Sequence, residues 1–247
     1  MASIVEKPKT PAFFRAILHY LFPVWGILKR RFRMWSNRAH ADSRQIDWDW
    51  NSTTYNRIAA VNLILMQFPK PRYLEIGCDR NNLFSSVPVS HKVGVDPVSG
   101  GTIRSTSDEF FLVNREKFDV VFIDGLHEYP QVRRDVLNAL EVVPVGGYVV
   151  LHDMLPSNWV EQHVPNISPA AWTGDVWKLA FEIANTPGLE FSIIKIDHGV
   201  GVLRKLSNVQ LSNTQSTLSN EGFSYFFENH LLLPLVTWHQ FVDAHSH

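Results

Sequence analysis

Four short apolar or β-branched runs, each leading into glycine, aspartate or histidine, constrain this chain more than any other feature: Arg72 to Ile76, Lys92 to Val95, Asp119 to Ile123 and Tyr148 to Leu151. Runs of this length without polar alternation read as strands buried on both faces, as in parallel sheets. Between the last two, Val132, Val136, Leu137 and Leu140 recur at helical spacing within Gln131 to Val143, ahead of Pro144 and the Gly146-Gly147 pair. Tyr55 to Phe68 repeats Ile58, Val61, Leu65 and Phe68 in the same way and stops before Pro69 and Pro71. Alternating strands and helices predict an α/β fold with a doubly wound, mostly parallel sheet. Asp175 to Asn185 adds a further helix, and Phe191 to Ile196 with Val200 to Leu203, joined across Gly199, adds a closing hairpin.

Composition agrees with a folded chain: of 247 residues 45% are hydrophobic and 19% charged, which excludes wholesale disorder and a coiled coil. The formal net charge of −1 gives no electrostatic case for nucleic acid as a partner. One cysteine, Cys78, rules out an intramolecular disulfide and points to a reducing, cytoplasmic setting. The charge is uneven, however, because residues 1–44 carry nine Lys or Arg against Glu6 and Asp42, leaving the remainder acidic. Within that segment the apolar stretch Ala16 to Leu28 is too short to span a bilayer. Its basic cluster, Lys29, Arg30, Arg31 and Arg33, follows it rather than precedes it, which argues against an export signal. Two readings stay open: peripheral contact of residues 12–33 with an anionic membrane, or packing on the domain or a second subunit. The expected organisation is a basic, aromatic helical extension over 1–50 and a ligand-binding domain over 51–206. A Ser-, Asn-, Gln- and Thr-rich linker over 207–220 and an apolar tail over 221–247 follow. The tail needs a surface to dock on, for which a symmetry mate in a homo-oligomer is one candidate.

In a doubly wound sheet the ligand lies beyond the carboxyl ends of the strands, so the residues just past each run are the informative ones. The first run leads into Gly77, which lets the backbone pass close to a bound group, and it contains Glu75, suited to a cationic or hydroxyl-bearing part. The second leads into Asp96, 21 residues after Glu75, near the offset at which such folds place the acid that takes ribose hydroxyls. Together these suggest a nucleoside-containing cofactor; the plainer reading of Asp96 is a cap on the turn before Pro97. The third and fourth runs lead into Asp124, His127, His152 and Asp153. Carboxylates with open positions suit Mg²⁺ or another hard divalent cation, and a neutral histidine beside them can act as general base.

These segments resemble the class I S-adenosylmethionine-dependent methyltransferases, in the branch with metal-dependent sugar and macrolide O-methyltransferases. The resemblance rests on Tyr73-Leu74-Glu75-Ile76-Gly77, Val95-Asp96-Pro97, Thr106 to Phe111 and, most specifically, Phe118 to Met154, and it extends from about Tyr55 to Lys205. It implies that Glu75 and Gly77 approach the methionine end of the cofactor, that Asp96 takes its ribose, and that Ser107 and Asp108 lie beside the adenine. It further implies that Asp124 serves cofactor and metal, that His127 is the base, and that Asp153 is a second metal-binding acid. Two departures stand out. Asn81 lies in the region where the family commonly has a glycine, and His152 precedes Asp153 where relatives carry two adjacent acids. Histidine is a poor ligand for Mg²⁺, which leaves Mn²⁺, another metal, or none.

The expected function is transfer of a methyl group from S-adenosylmethionine to a hydroxyl of a small molecule or sugar, with divalent-metal assistance by Mg²⁺ or Mn²⁺. The alternative is a non-catalytic binding or assembly protein on the same fold, associated with a membrane or partner. A nicotinamide-dependent oxidoreductase is disfavoured, since Gly-x-Gly-x-x-Gly is missing after the first strand. Asp175 is expected either to meet substrate or to open a helix, and Trp48, Trp50, Trp159, Trp172 and Trp177 either to wall the acceptor site or to fill the core.

Overall fold

A computed structural model of the chain describes residues 26–211 and 215–245. The four apolar runs become β1 (Arg72–Ile76), β2 (His91–Val95), β3 (Val120–Ile123) and β4 (Tyr148–Leu151), joined by β5 (Leu189–Ile194), β6 (Val200–Lys205) and the two-residue β7 (Leu235–Val236). They form one sheet in the order β2-β1-β3-β4-β6-β5-β7. The β1–β2, β1–β3, β3–β4 and β5–β7 pairs are parallel, while β6 runs antiparallel to both β4 and β5. The closing hairpin is therefore the antiparallel part of the sheet.

Eight α-helices are described after residue 56: α1 (Arg57–Leu65), α2 (Asn82–Ser86), α3 (Ser107–Val113), α4 (Tyr129–Val142), α5 (Trp177–Ala184), α6 (Gln215–Leu218), α7 (Phe223–Asn229) and α8 (Trp238–His245). Every residue of β3 and β4 is buried because the sheet is covered on both sides. Leu74, Ile76, Val121, Ile123, Val149 and Leu151 face a layer that includes α4, α5 and α7. Tyr73, Val120, Phe122, Tyr148 and Val150 face the other layer, which includes α1, α2 and α8. Each such side chain, fully buried, contributes about 1.5–3 kcal/mol, and the two-layer cover holds the sheet edge rigid enough to present side chains.

The apolar tail docks on this chain's own sheet. Phe223 and Phe226 enter one core layer, Phe241 the other, and β7 pairs with β5. The polar segment 207–220 is anchored by two leucines, Leu211 and Leu218, both buried in the core. At the other end, residues 26–36 are helical, with Ile27, Leu28, Phe32 and Trp35 exposed. Of the 12–33 segment considered for membrane contact, residues 12–25 lie outside the described residues. Among the described residues no helix is long and apolar enough to cross a membrane.

The chain leaves β1 for β2 on one side and returns to place β3 on the other. This order creates a topological switch point between the carboxyl ends of β1 and β3, where doubly wound folds open a crevice.

Candidate active site

At that crevice Gly77 has φ +85°, and a Cβ there would fall 2.1 Å from the Asp124 carbonyl oxygen. The loop after β1 thus lies directly on the loop after β3, which only glycine allows. Asn81, the departure noted above, takes left-handed angles (φ 64°, ψ 22°) that asparagine tolerates, and its side-chain oxygen accepts from Gly101 N at 2.7 Å. Asp96 accepts from the backbone N–H groups of Val98 and Ser99, both at 2.8 Å, and of Asp79 at 3.0 Å. Burial alone would raise the Asp96 pKa, but these N–H donors hold it below its ordinary value. The carboxylate therefore caps its turn and also borders a cavity of about 570 Å³ that includes Ser107, Asp108, Gln131 and Asp135 in its wall. Ser107 and Asp108 sit at the start of α3, whose N-cap Thr106 closes a capping box with Glu109.

A second cavity of about 360 Å³ shares Gly77, Asp79 and Asp124 with the first and is lined further by Glu75, His127, His152 and Asp153. His127 Nδ1 donates to the Trp172 carbonyl at 3.0 Å and lies 3.1 Å from Asp153 Oδ2. Both ring nitrogens thus face acceptors, with Nε2 3.2 Å from Asp124 Oδ1, so the surroundings favour the imidazolium; loss of the Nε2 proton, with Nδ1–H kept on the Trp172 carbonyl, gives the neutral ring that can act as a base. Burial alone would lower the His127 pKa, but Asp124 and Asp153 lift it to about 8. His152 Nδ1 lies 3.2 Å from Asp124 Oδ1 and 3.4 Å from Asp153 Oδ1, and its pKa is raised by these carboxylates against the opposing effect of burial. Burial would raise Asp124, yet the two imidazoles pull it far below the carboxylate range. Burial also lifts Glu75 to about 7, against the hydrogen bond it accepts from Tyr73 Oη at 2.6 Å.

The donors fit a divalent ion. Asp124, His152 and Asp153 each offer a ligand atom within 4.8 Å of the other two. A six-coordinate ion with bonds of about 2.1 Å sets adjacent donors about 3 Å apart, close to the 3.2 and 3.4 Å separations from His152 Nδ1.

For several residues the structure decides between the alternatives the sequence leaves open. Asp175 does not face the site: it accepts from Tyr129 N at 2.6 Å and pairs with Lys178 at 2.9 Å, fixing the start of α4 to the loop before α5. Trp177 is wholly buried, and Trp48, half-buried, packs on Trp50 and Phe226 against the core. Trp172 stacks on the His127 ring at 5.2 Å between centroids. Cys78 is buried at the cavity wall, and burial pushes its thiol up, away from a nucleophilic thiolate. Three site residues escaped the sequence reading. Arg57 places Nε 3.9 Å from Asp124 and Nη1 2.8 Å from Asp197. Asp197 reaches the site from the β5–β6 turn. Asp135 borders the larger cavity, and burial pushes its pKa up to about 6.

Fold and site together give a doubly wound, mostly parallel sheet with a cleft at its switch point. Residues 74–154, the stretch from β1 to β4, match a family model described as a methyltransferase domain. No curated protein matches significantly. Among solved structures, the MycE methyltransferase of the mycinamycin biosynthetic pathway, in complex with Mg and SAH, is 18% identical, with 67% of this chain and 56% of that chain covered and a TM-score of 0.43. The O-methyltransferase TomG from Streptomyces achromogenes, in complex with SAM, is 14% identical over 63% of this chain and 82% of its own, with a TM-score of 0.44. The N-methyltransferase NodS from Bradyrhizobium japonicum WM9 is 14% identical over 60% and 93%, with a TM-score of 0.42. The chain thus spans little more than half the length of the first of these.

Proposed function

We propose that this protein transfers a methyl group from S-adenosylmethionine to a hydroxyl of a small molecule or sugar. The observation that carries the reading is the meeting of His127, Asp124, His152 and Asp153 in a cavity that shares a wall with the Asp96 cavity. The larger cavity would take the nucleoside, with Asp96 toward the ribose and Ser107 and Asp108 toward the base. Glu75 and Gly77 border the smaller cavity, toward the methionine end. S-adenosylmethionine supplies an electrophilic methyl group, and a divalent ion on Asp124, His152 and Asp153 would lower the pKa of an acceptor hydroxyl. The chain's own part is alignment and proton removal. His127 takes the hydroxyl proton at Nε2, Trp172 fixes the ring by stacking and through its carbonyl, and Asp124 stabilises the imidazolium that results. Transfer of labelled methyl to a panel of hydroxylated acceptors tests the reading, and the absence of transfer to hydroxyls with transfer to amines would overturn the choice of oxygen.

A pH dependence follows. With His127 titrating at about 8 and needed neutral, turnover should rise about tenfold per pH unit below that value and level off above it. A cation on Asp124 and Asp153 weakens their hold on the imidazolium and moves this limb to lower pH. Rate profiles with and without added metal check both statements, and a flat profile from pH 6 to 9 without added metal would remove His127 as the base.

Asp96→Ala should weaken S-adenosylmethionine binding about 10- to 100-fold, the loss expected when a charged hydrogen-bond acceptor for the ribose disappears. Calorimetry measures this directly, and an unchanged Kd would confine Asp96 to its turn.

A further inference from the structure

We infer that Asp197, held by Arg57, is a positioning residue that turns His152 Nδ1 toward Asp124 and Asp153. In doing so it makes the centre prefer a nitrogen-accepting first-row divalent ion such as Mn²⁺ over Mg²⁺. The inference rests on the metal-assisted reading above and concerns which ion that site takes.

The ground is geometric. One edge of the His152 ring, Nδ1, faces Asp124 and Asp153, and the opposite nitrogen, Nε2, faces the Arg57–Asp197 pair, 3.5 Å from both Asp197 Oδ2 and Arg57 Nη1, of which only the carboxylate can accept the ring N–H. A metal-bound imidazole gives its other N–H to a carboxylate or carbonyl, which fixes the ring and raises its basicity as a ligand. Asp197 stands where that carboxylate is needed. Its Oδ2 is itself fixed, accepting from Arg57 N at 3.0 Å and Arg57 Nη1 at 2.8 Å. The turn that carries it is unusual, since Asp197 (φ 46°) and His198 (φ 60°) are both left-handed although neither is glycine. Two bonds from the segment after β4 hold that turn: Leu155 N to His198 O at 2.8 Å and Met154 N to Gly199 O at 3.1 Å. The same segment begins with His152 and Asp153, so the turn and the candidate ligands are tied together. Sparsely populated backbone angles that the surroundings enforce cluster at functional sites. Imidazole in the donor set then moves preference away from Mg²⁺, whose affinity is for oxygen, toward ions that accept nitrogen.

The test is a titration of metal-stripped full-length protein with Mn²⁺, read by the paramagnetic signal of the free ion, followed by competition with Mg²⁺. The wild-type chain should need at least about tenfold more Mg²⁺ than Mn²⁺ for equal occupancy. Asp197→Asn keeps a residue that tolerates left-handed angles and can still accept from Arg57, so the fold is preserved. It should weaken Mn²⁺ about 10- to 100-fold, as loss of such a supporting carboxylate typically does, with a much smaller change for Mg²⁺. His152→Asp should bring the two ions to similar affinities because it removes the nitrogen donor, while the selective loss of Mn²⁺ in Asp197→Asn is what a purely structural Arg57–Asp197 pair would not produce. Mn²⁺ binding by Asp197→Asn within about twofold of wild type, or displacement of Mn²⁺ by equal Mg²⁺ in the wild type, overturns the inference and leaves the metal-assisted reading standing. Failure to bind any divalent ion overturns both, while binding of S-adenosylmethionine, measured separately, reports on the methyl-donor reading.

Discussion

His127→Ala is expected to lower turnover by about 10²- to 10⁴-fold, the usual contribution of a positioned general base, while S-adenosylmethionine affinity stays within a few fold. The separation of these effects comes from the site's layout. His127 reaches Asp124, Asp153 and the Trp172 carbonyl in the smaller cavity, whereas Asp96, Ser107 and Asp108 line the larger one. The loss should therefore appear in kcat and not in cofactor Kd. Added imidazole should restore part of the rate in the vacated space, which a variant that had merely lost its fold could not do. A His127→Ala enzyme with full turnover would end the assignment of this residue as the base.

The second large effect is expected at a residue with no reacting atoms. Gly174 has φ +60°, and a Cβ built there lies 1.7 Å from the His127 carbonyl oxygen. The segment around it clamps the His127 loop: Asp175 N donates to His127 O at 3.3 Å, and Asp175 Oδ1 accepts from Tyr129 N at 2.6 Å. Gly174→Ala must therefore adopt left-handed angles, at about 1–2 kcal/mol, and must push the two loops apart, at about 1–3 kcal/mol more. For a chain of this size about 3 kcal/mol corresponds to a fall in Tm on the order of 10 °C. The displaced loop carries the imidazole, so activity should drop at temperatures where the variant is still folded. Thermal melting together with kcat at 20 °C checks the pair, and a variant with wild-type Tm and kcat would show that this contact is not needed.

The fold was legible where burial on both faces writes itself as an unbroken apolar run. VVFI and YVVL became β3 and β4 with boundaries within a residue of those expected. Element ends were less legible because side chains outside the element set them. The helix expected from Tyr55 to Phe68 runs Arg57–Leu65, since Asn56 caps it by accepting from Ile58 N, and residues 66–68 turn before Pro69. The helix expected from Asp175 starts at Trp177, because the Asp175 carboxylate serves Tyr129 and Lys178 instead. At two residues and just after Pro234, β7 carries too little pattern to be read at all.

The candidate site divides in the same way. Asp96, Asp124, His127, His152 and Asp153 follow directly from the rule that polar residues past strand ends meet at the switch point. Arg57 and Asp197 obey no such local rule, for they arrive from the start of α1 and from a hairpin turn 140 residues away in sequence. Only the tertiary fold brings them to His152. Asp135 left a usable sign: a carboxylate on the same buried helix face as Val132, Val136 and Ala139 needs a polar partner or a cavity.

The measurement closest to the central claim is isothermal titration of the purified chain with S-adenosylmethionine and S-adenosylhomocysteine, with and without Mg²⁺ or Mn²⁺, and with NAD as control. The account predicts micromolar binding of both adenosyl compounds and none of NAD. Binding of neither adenosyl compound under any metal condition would contradict it, and would favour a non-catalytic binding protein built on a methyltransferase fold.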